Sequence, residues 1–415
     1  MGFAYRDGAF CVDGVPLESI AQQFGTPCYV YSRAGIEHNF REFSNALAGR
    51  DALIAYSVKA NSNLAVLALL SGLGAGFDIV SAGELARVQA AGGDPRKVLF
   101  SGVGKTASEI RLALQSGVRC LNIESAAEME RVDVVARELG CRAPVAFRVN
   151  PDVDAQTHPY ISTGLKQNKF GIAYAEAEAL HREAALKRNL ELVGIGFHIG
   201  SQLVDPAPLA AATSRITRLA DRLAGSGIAF AHIDVGGGIG IRYHDESPPP
   251  IAEFVSAVLR EFVGRRETLI IDPGRAIAGD AGILLTRVEY VKPGETRNFL
   301  VVDAAMNDLL RPGLYDAWHE VLPVREADAG AAEGTYDVVG PVCESADFLA
   351  LGRRLDARSG DLLAVMGAGA YGMVMSSNYN SRPRAAEVLV GGGIAHLVRR
   401  RESTDELYAL ETIPK

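Results

Sequence analysis

Lys59 is one of only eight lysines in the 415-residue chain, and it lies in the nearly uncharged run Ala52-Leu-Ile-Ala-Tyr-Ser-Val-Lys-Ala-Asn61. An amine with little water around it is a competent nucleophile toward an aldehyde, which is what forming a Schiff base requires. The same lysine ion-paired to Asp78 or Glu84 would merely close the end of a structural element, and the run alone does not choose between the two. In Asp234-Val-Gly-Gly-Gly-Ile-Gly240, the residues Gly236, Gly237 and Gly238 bare backbone N–H groups that can wrap a phosphate, although most glycine runs are tight turns. Asp272-Pro-Gly274-Arg275 sets a carboxylate and a guanidinium beside a pair that usually marks a turn. His198 closes Gly194-Ile-Gly-Phe-His198, where it would either stack on a flat ring or sit satisfied in a core. The other seven histidines show no metal-ligand spacing, so no metal is expected.

These residues fall at the ends of strand-length apolar runs. Eight such runs, Ala52 to Val58, Gly76 to Val80, Val98 to Ser101, Cys120 to Ile123, Val145 to Val149, Val193 to Ile199, Phe230 to Val235 and Leu269 to Asp272, alternate with stretches of helical spacing such as Leu85, Val88 and Ala91. That alternation predicts an α/β fold, a (β/α)8 TIM-type barrel, over residues 32–278. Active sites of such barrels lie at the carboxyl ends of the strands, where Lys59, Ser201, the glycine run and Asp272 fall, with Asp78 inside strand two. Beyond the barrel, Ile283 to Val291, Phe299 to Val302, Tyr336 to Val339, Leu362 to Val365 and Glu387 to Val390 read as strands of an all-β (β-sandwich or barrel-like) domain. Residues 1–31 carry two more strand-like pieces, Ala9 to Val12 and Cys28 to Tyr31, which could join either the barrel or the β-domain of residues 279–415.

Composition excludes several function classes. A net charge of -8 leaves no basic surface for nucleic acid. No apolar run reaches the length of a membrane span, and the first residues lack a basic segment followed by an apolar core, so a cytoplasmic protein without membrane contact is expected. Five cysteines (Cys11, Cys28, Cys120, Cys141, Cys343) without C-x-x-C spacing suggest reduced, buried thiols. A phosphate site at strands seven and eight together with an amine at strand one fits pyridoxal 5'-phosphate better than a nicotinamide, because no G-x-G-x-x-G opens a helix after strand one. Asp272 would then keep the pyridine nitrogen protonated and the ring an electron sink.

With these residues placed, the chain resembles, along essentially its full length, the alanine-racemase-like (fold type III) pyridoxal-phosphate decarboxylases, and among them the diaminopimelate decarboxylase family. The matching segments are Tyr56–Asn61, Gly76–Leu85, His158–Gly164, Lys169–Gly171, Gly196–Gln202, Met306–Pro312, Cys343–Asp347, Gly369–Gly372 and Ser376–Pro383. The resemblance implies conversion of meso-2,6-diaminopimelate to L-lysine and carbon dioxide, the last step of lysine biosynthesis. It implies that Lys59 holds the cofactor, His198 stacks on its ring, and Ser201, Gly236 to Gly238, Gly274 and Arg275 surround its phosphate, with Asp78 and Tyr371 also in contact. Asp272 stands where the family usually has glutamate, one methylene longer. Arg275, Arg311, Tyr315 and Tyr371 are implied in substrate binding, Glu344 as the partner of the distal ammonium, and Cys343 as the proton donor to the carbon that has lost carbon dioxide. The Cys343-Glu-Ser segment is implied to reach a neighbouring subunit's site, making the active unit a homodimer with shared active sites.

A decarboxylase of the same architecture acting on ornithine, arginine, a carboxylated polyamine or a carrier-bound aminoacyl group is the alternative. Arg311, Tyr315 and Glu344 argue against simple diamines, since a site built for a second carboxylate leaves its arginines unpaired on such substrates. A non-catalytic cofactor-binding protein is the third reading, and it would leave Lys59 and Cys343 without a purpose.

Overall fold

The computed structural model describes residues 2–154, 169–326 and 334–414. Contacts divide the chain into two compact units, one of Asn39–Ile241 and Ser247–Ala276, the other of Met1–His38, Arg242–Glu246 and Ile277–Lys415.

In the first unit eight parallel strands, Ala52–Ser57, Gly76–Ile79, Val98–Phe100, Cys120–Ile123, Ala143–Asn150, Leu190–Gly196, His232–Asp234 and Thr268–Ile271, pair in chain order. The last pairs with the first, Leu269 opposite Ala52, and closes a barrel. Runs of β-branched and aliphatic residues form these strands because both faces are covered, one by helices and one by the barrel interior. That interior is filled by modest side chains contributed by several strands, including Ala55, Leu99, Cys120, Ala146 and Ile270. Helices after the first four strands start on capping side chains: Asn63 accepts from Ala65 N, Ser81 from Glu84 N, Thr106 from Glu109 N and Ser125 from Glu128 N. Each cap fixes where the chain turns from strand to helix, and so where the strand-end side chains stand.

The sixth strand stops at Gly196 rather than running to Ile199. Phe197 N still bonds Asp234 O at 3.0 Å, but beyond it the loops after strands six and seven press together. A Cβ at Gly236 would stand 2.7 Å from the Phe197 carbonyl oxygen and 2.9 Å from His198 Nδ1. Regular pairing ends there because the backbone must bend around that approach.

The second unit is built on a sheet ordered Phe348–Leu355, Gly334–Val339, Asn298–Val302, Gly282–Lys292, Cys28–Ser32, Ala386–Gly391 and Ile394–Arg399, with Leu362–Val365 and Val321–Pro323 paired beside the long strand Gly282–Lys292. Cys28–Ser32 is therefore a central strand supplied from the amino-terminal end. The unit is not purely β. Leu17–Phe24 is a helix whose Leu17, Ile20 and Ala21 are buried against Val30, Ile283 and Val388. Its apolar residues recur at helical spacing, but eight residues between two strand-like pieces do not stand out in the sequence.

Candidate active site

Three carboxylates, Asp78, Asp234 and Asp272, are buried at the carboxyl end of the barrel, and the Lys59 and Arg148 charges oppose those of Asp234 and Asp272. Asp78, inside the second strand, accepts from Ser101 Oγ at 2.5 Å, and Asn122 Nδ2 donates to that same hydroxyl at 3.0 Å. Its other oxygen lies 3.2 Å from Lys59 Nζ. Lys59 stands in a 3-10 turn, Val58–Ala60, directly after the first strand, and keeps over a third of its side chain exposed. The ion pair left open by the sequence is therefore formed, and it aims a partly accessible amine at the barrel mouth.

Asp272 follows the eighth strand. Its Oδ1 is buried and has no hydrogen-bond partner among the described residues. His198 Nδ1 is 3.9 Å from it, beyond hydrogen-bond reach. Burial, then the neighbouring Asp234 and Asp78 charges, push the Asp272 carboxyl well above its ordinary value. Burial also lifts Asp234 to about 7, opposed by a bond from Gly236 N at 2.9 Å. His198 is driven well below its usual value by burial and by the Arg148 and Lys59 charges, so its ring is neutral. With the His198 ring uncharged and its Nδ1 beyond bonding distance, Asp272 Oδ1 is left as a buried acceptor with no donor among the described residues.

The glycine run packs against this acid. A Cβ at Gly237 would collide with the Asp272 carbonyl oxygen and stand 2.7 Å from Oδ1, and one at Gly238 (φ +85°) would overlap the Gly200 carbonyl. A Cβ at Gly274 would meet Ala60 Cβ at 2.9 Å. The glycines are thus required for close approach of the loops, whatever else their N–H groups do. Arg275, buried, donates through Nη2 to Ser201 Oγ at 3.1 Å, which brings together the two polar residues expected around a phosphate.

Glu124 is not singled out by the sequence, and Arg148 stands out there only as a polar residue at the end of the fifth strand. Glu124, just past the fourth strand, accepts from Gly102 N at 3.1 Å, Gly171 N at 2.9 Å and Arg148 Nη1 at 3.3 Å, and so ties three strand-end loops together. Arg148 lies over the Phe170 ring at 4.9 Å, which gives the Lys169-Phe-Gly171 segment a place in the site. The segment His158–Gly164 and the stretch 165–168 lie outside the described residues. The pairing of Glu124 with Arg148, an acid and an arginine at successive strand ends, is visible only once strand register is known.

In the second unit Arg311 is buried and opens a short helix, Arg311–Tyr315, with Tyr315 half-buried at its end. Cys343 and Glu344 are exposed, which corrects the expectation that all five thiols are buried; Cys141 is also partly exposed. The Cys343–Asp347 loop is organised from below: buried Asp347 accepts from Val342 N at 2.6 Å and Met306 N at 2.7 Å, while Asn380 Oδ1 accepts from Cys343 N at 2.8 Å. With its backbone satisfied in this way, the loop can display the thiol and the Glu344 carboxylate outward. Tyr371 adopts φ +56°, a left-handed conformation that costs a non-glycine residue about 1 kcal/mol or more and that recurs at functional positions.

A model of the pyridoxal-binding domain of pyridoxal-dependent decarboxylases matches residues 33–279. The chain is 59% identical over 411 residues to the diaminopimelate decarboxylase of Pseudomonas aeruginosa, covering 99% of each chain. It belongs to the diaminopimelate decarboxylase family. The same holds at 53% identity and 99% of both chains for the relative from Vibrio cholerae. Among solved structures, a diaminopimelate decarboxylase from M. jannaschii in complex with L-lysine superposes with a TM-score of 0.95 at 35% identity, covering 100% of this chain and 98% of the other. That from Helicobacter pylori, also with L-lysine, gives 0.92 at 41% identity, covering 95% and 98%.

The family's cofactor is pyridoxal 5'-phosphate, and the barrel mouth fits it. Asp272 Oδ1 is a buried acceptor lacking a donor, which a protonated ring nitrogen would supply. Arg275, Ser201 and the bare glycine loop form a cationic, N–H-rich corner suited to a phosphate. Among the described residues no helix is long and apolar enough to cross a membrane.

Proposed function

We infer that this chain decarboxylates meso-2,6-diaminopimelate to L-lysine and carbon dioxide, the last step of lysine biosynthesis, as a cytoplasmic homodimer. The observation that carries the reading is the likeness over 99% of the chain, both units included, to relatives bearing that activity's name.

Bound pyridoxal phosphate supplies the sink for the electron pair left behind as carbon dioxide departs. Lys59 would hold it, with Asp78 Oδ2, 3.2 Å away, orienting the amine. Ser101 and Asn122 hold Asp78 in turn, so the amine's bearing is set two residues deep. Asp272 would face the ring nitrogen. Aspartate is one methylene shorter than the usual glutamate, and either a shifted ring or a bridging water closes that distance. His198, neutral, would stack on the ring without competing for Asp272. Ser201, Arg275, Gly274 and Gly236 to Gly238 would surround the phosphate, with Tyr371 in contact as well.

The distal end of the substrate is an amino-acid zwitterion. Arg311, Arg275 and Tyr315 would grip its carboxylate and Glu344 its ammonium, a combination that ornithine, without that carboxylate, does not satisfy. Cys343 would deliver a proton from Sγ to the carbon that lost carbon dioxide, a role that needs a thiol reaching outward from its own chain. The exposed Cys343 and Glu344 support the reading that this loop serves a partner's site.

The test offers the purified protein, with pyridoxal phosphate, meso-diaminopimelate, ornithine, arginine and lysine separately and measures carbon dioxide. Release from diaminopimelate alone is expected. Release from ornithine or arginine instead would transfer the chemistry to another substrate and overturn the roles of Arg311 and Glu344.

A further inference from the structure

We propose that His319 is a positioning residue for substrate binding, holding the Arg311 guanidinium in the orientation that receives the substrate's distal carboxylate; this rests on the reading of Arg311 as part of the carboxylate clamp. His319 is fully buried and lies four residues after Tyr315, just before the strand Val321–Pro323. Its Nδ1 is 2.7 Å from the Met366 carbonyl oxygen. A carbonyl only accepts, so Nδ1 carries the hydrogen. Its Nε2 is 3.0 Å from Arg311 Nη1, and a guanidinium only donates, so Nε2 offers a lone pair. Both contacts are satisfied together by the neutral ring protonated on Nδ1 and by no other form: in the doubly protonated ring, N–H would face N–H.

The ring is held on its other sides too. Tyr243 meets it edge-on, with centroids 5.4 Å apart and planes at 76°. The same tyrosine ring lies 4.4 Å from the Arg311 guanidinium carbon, so one face of the cation is covered while its edge is held by His319. Gly367 admits that tyrosine: its φ is +65°, and a Cβ there would stand 3.1 Å from the Tyr243 ring. The His319 carbonyl accepts from Arg353 Nη2 at 3.1 Å, and Met366 N is bonded to Glu320 O at 2.8 Å, so the backbone on both sides of the ring is tied down.

A guanidinium reads a carboxylate by two parallel N–H bonds in one plane, so a rotation about its own axis costs binding even though the charge stays in place. An arginine held on one edge and one face has lost that rotation before substrate arrives, and less ordering remains to be done on binding. His319 therefore acts on affinity for ligands bearing the distal carboxylate, and little on the bond-breaking step.

Two substitutions separate the ring's two contacts. His319→Asn keeps an amide within reach of Met366 O but stops short of Arg311, whereas His319→Gln places an amide oxygen where Nε2 stood. In the cofactor-loaded enzyme, His319→Asn is expected to raise KM for meso-diaminopimelate and the dissociation constant of L-lysine by roughly 10-fold or more, the usual weight of a hydrogen bond to a charged group. kcat should change less than about threefold, and His319→Gln should recover most of the affinity. Equal behaviour of the two variants, an unchanged lysine dissociation constant in His319→Asn, or loss of folded protein in both would mean that the ring merely packs, and would overturn the proposal. Arg311→Gln is the control for the underlying reading. If it binds diaminopimelate and lysine as the parent does, the clamp assignment itself fails; if it weakens both while His319→Asn does not, only the proposal fails.

Discussion

On the proposed function, the barrel mouth and the Cys343 loop would carry the chemistry in opposite ways. At the barrel mouth Asp78, Asp234 and Asp272 are buried, crowded and, for Asp272 Oδ1, left without a hydrogen-bond donor among the described residues. In the loop the ionisable groups Cys343 and Glu344 are exposed, and what is buried is the scaffold beneath them, Asp347. A group that must stabilise charge on a bound cofactor gains from exclusion of water, which strengthens every interaction made there. A group that must reach another molecule gains from display on a rigid support. On that reading the first kind of site would need only its cofactor, and the second would need a partner subunit to serve.

The largest effect expected is at Lys59. Lys59→Ala should lower carbon dioxide release by roughly 10⁴-fold while the protein stays folded. Retained turnover would return Lys59 to an ion-pair role. Next is Cys343→Ala, expected to cost on the order of 10²- to 10⁴-fold in kcat, the span of a lost general acid. Mixing that variant with Lys59→Ala, each inactive alone, sharpens the contrast. If the loop serves a partner, exchange of subunits should restore about a quarter of parent activity, because random pairing makes about half the dimers mixed, each with one intact site. No recovery in demonstrably exchanged dimers would place Lys59 and Cys343 in the same chain's site.

Asp272→Asn should weaken retention of pyridoxal phosphate through dialysis and lower kcat by about 10²-fold, as the ring nitrogen loses its anion. Asp272→Glu, restoring the usual length, should be far milder, and equal losses in both would show that the carboxylate only packs. The smallest effect concerns Glu84, which accepts from Val80 N at 2.7 Å and which burial pushes up to about 7. A carboxyl raised in the folded state holds its proton longer there than in the unfolded chain. Its stabilisation is therefore present below its ordinary value of 4.5 and is lost as pH rises through about 7. Glu84→Gln removes that dependence, so its melting temperature relative to the parent should climb by a few degrees between those pH values. A difference that is flat with pH would mean that Glu84 is already ionised in the fold.

Much of this contrast is legible in the amino-acid sequence alone. The eight barrel strands announce themselves because strands covered on both faces are short apolar runs and the helices between them have a different period. The position of Lys59, Asp272 and the glycine run follows once those strands are counted. Less legible are features that depend on register and on approach between loops. Arg148 can be placed at a strand end from the sequence, but Glu124 looks like an ordinary surface charge until successive strand ends are set side by side and the two are seen to pair. The need for Gly237 is dictated by Asp272, 35 residues away in the chain, and not by its own turn. The helix Leu17–Phe24 is hidden by its brevity, and the exposure of Cys343 runs against the burial usual for a cysteine because Asp347 and Asn380 hold its loop from beneath.

The most direct measurement is of product. The parent enzyme, loaded with pyridoxal phosphate and given meso-diaminopimelate, should form L-lysine and carbon dioxide in equal amounts, and Lys59→Ala should form neither. Carbon dioxide without lysine, or lysine formed as well by Lys59→Ala, would contradict the assignment of substrate in the first case and of the barrel-mouth lysine in the second.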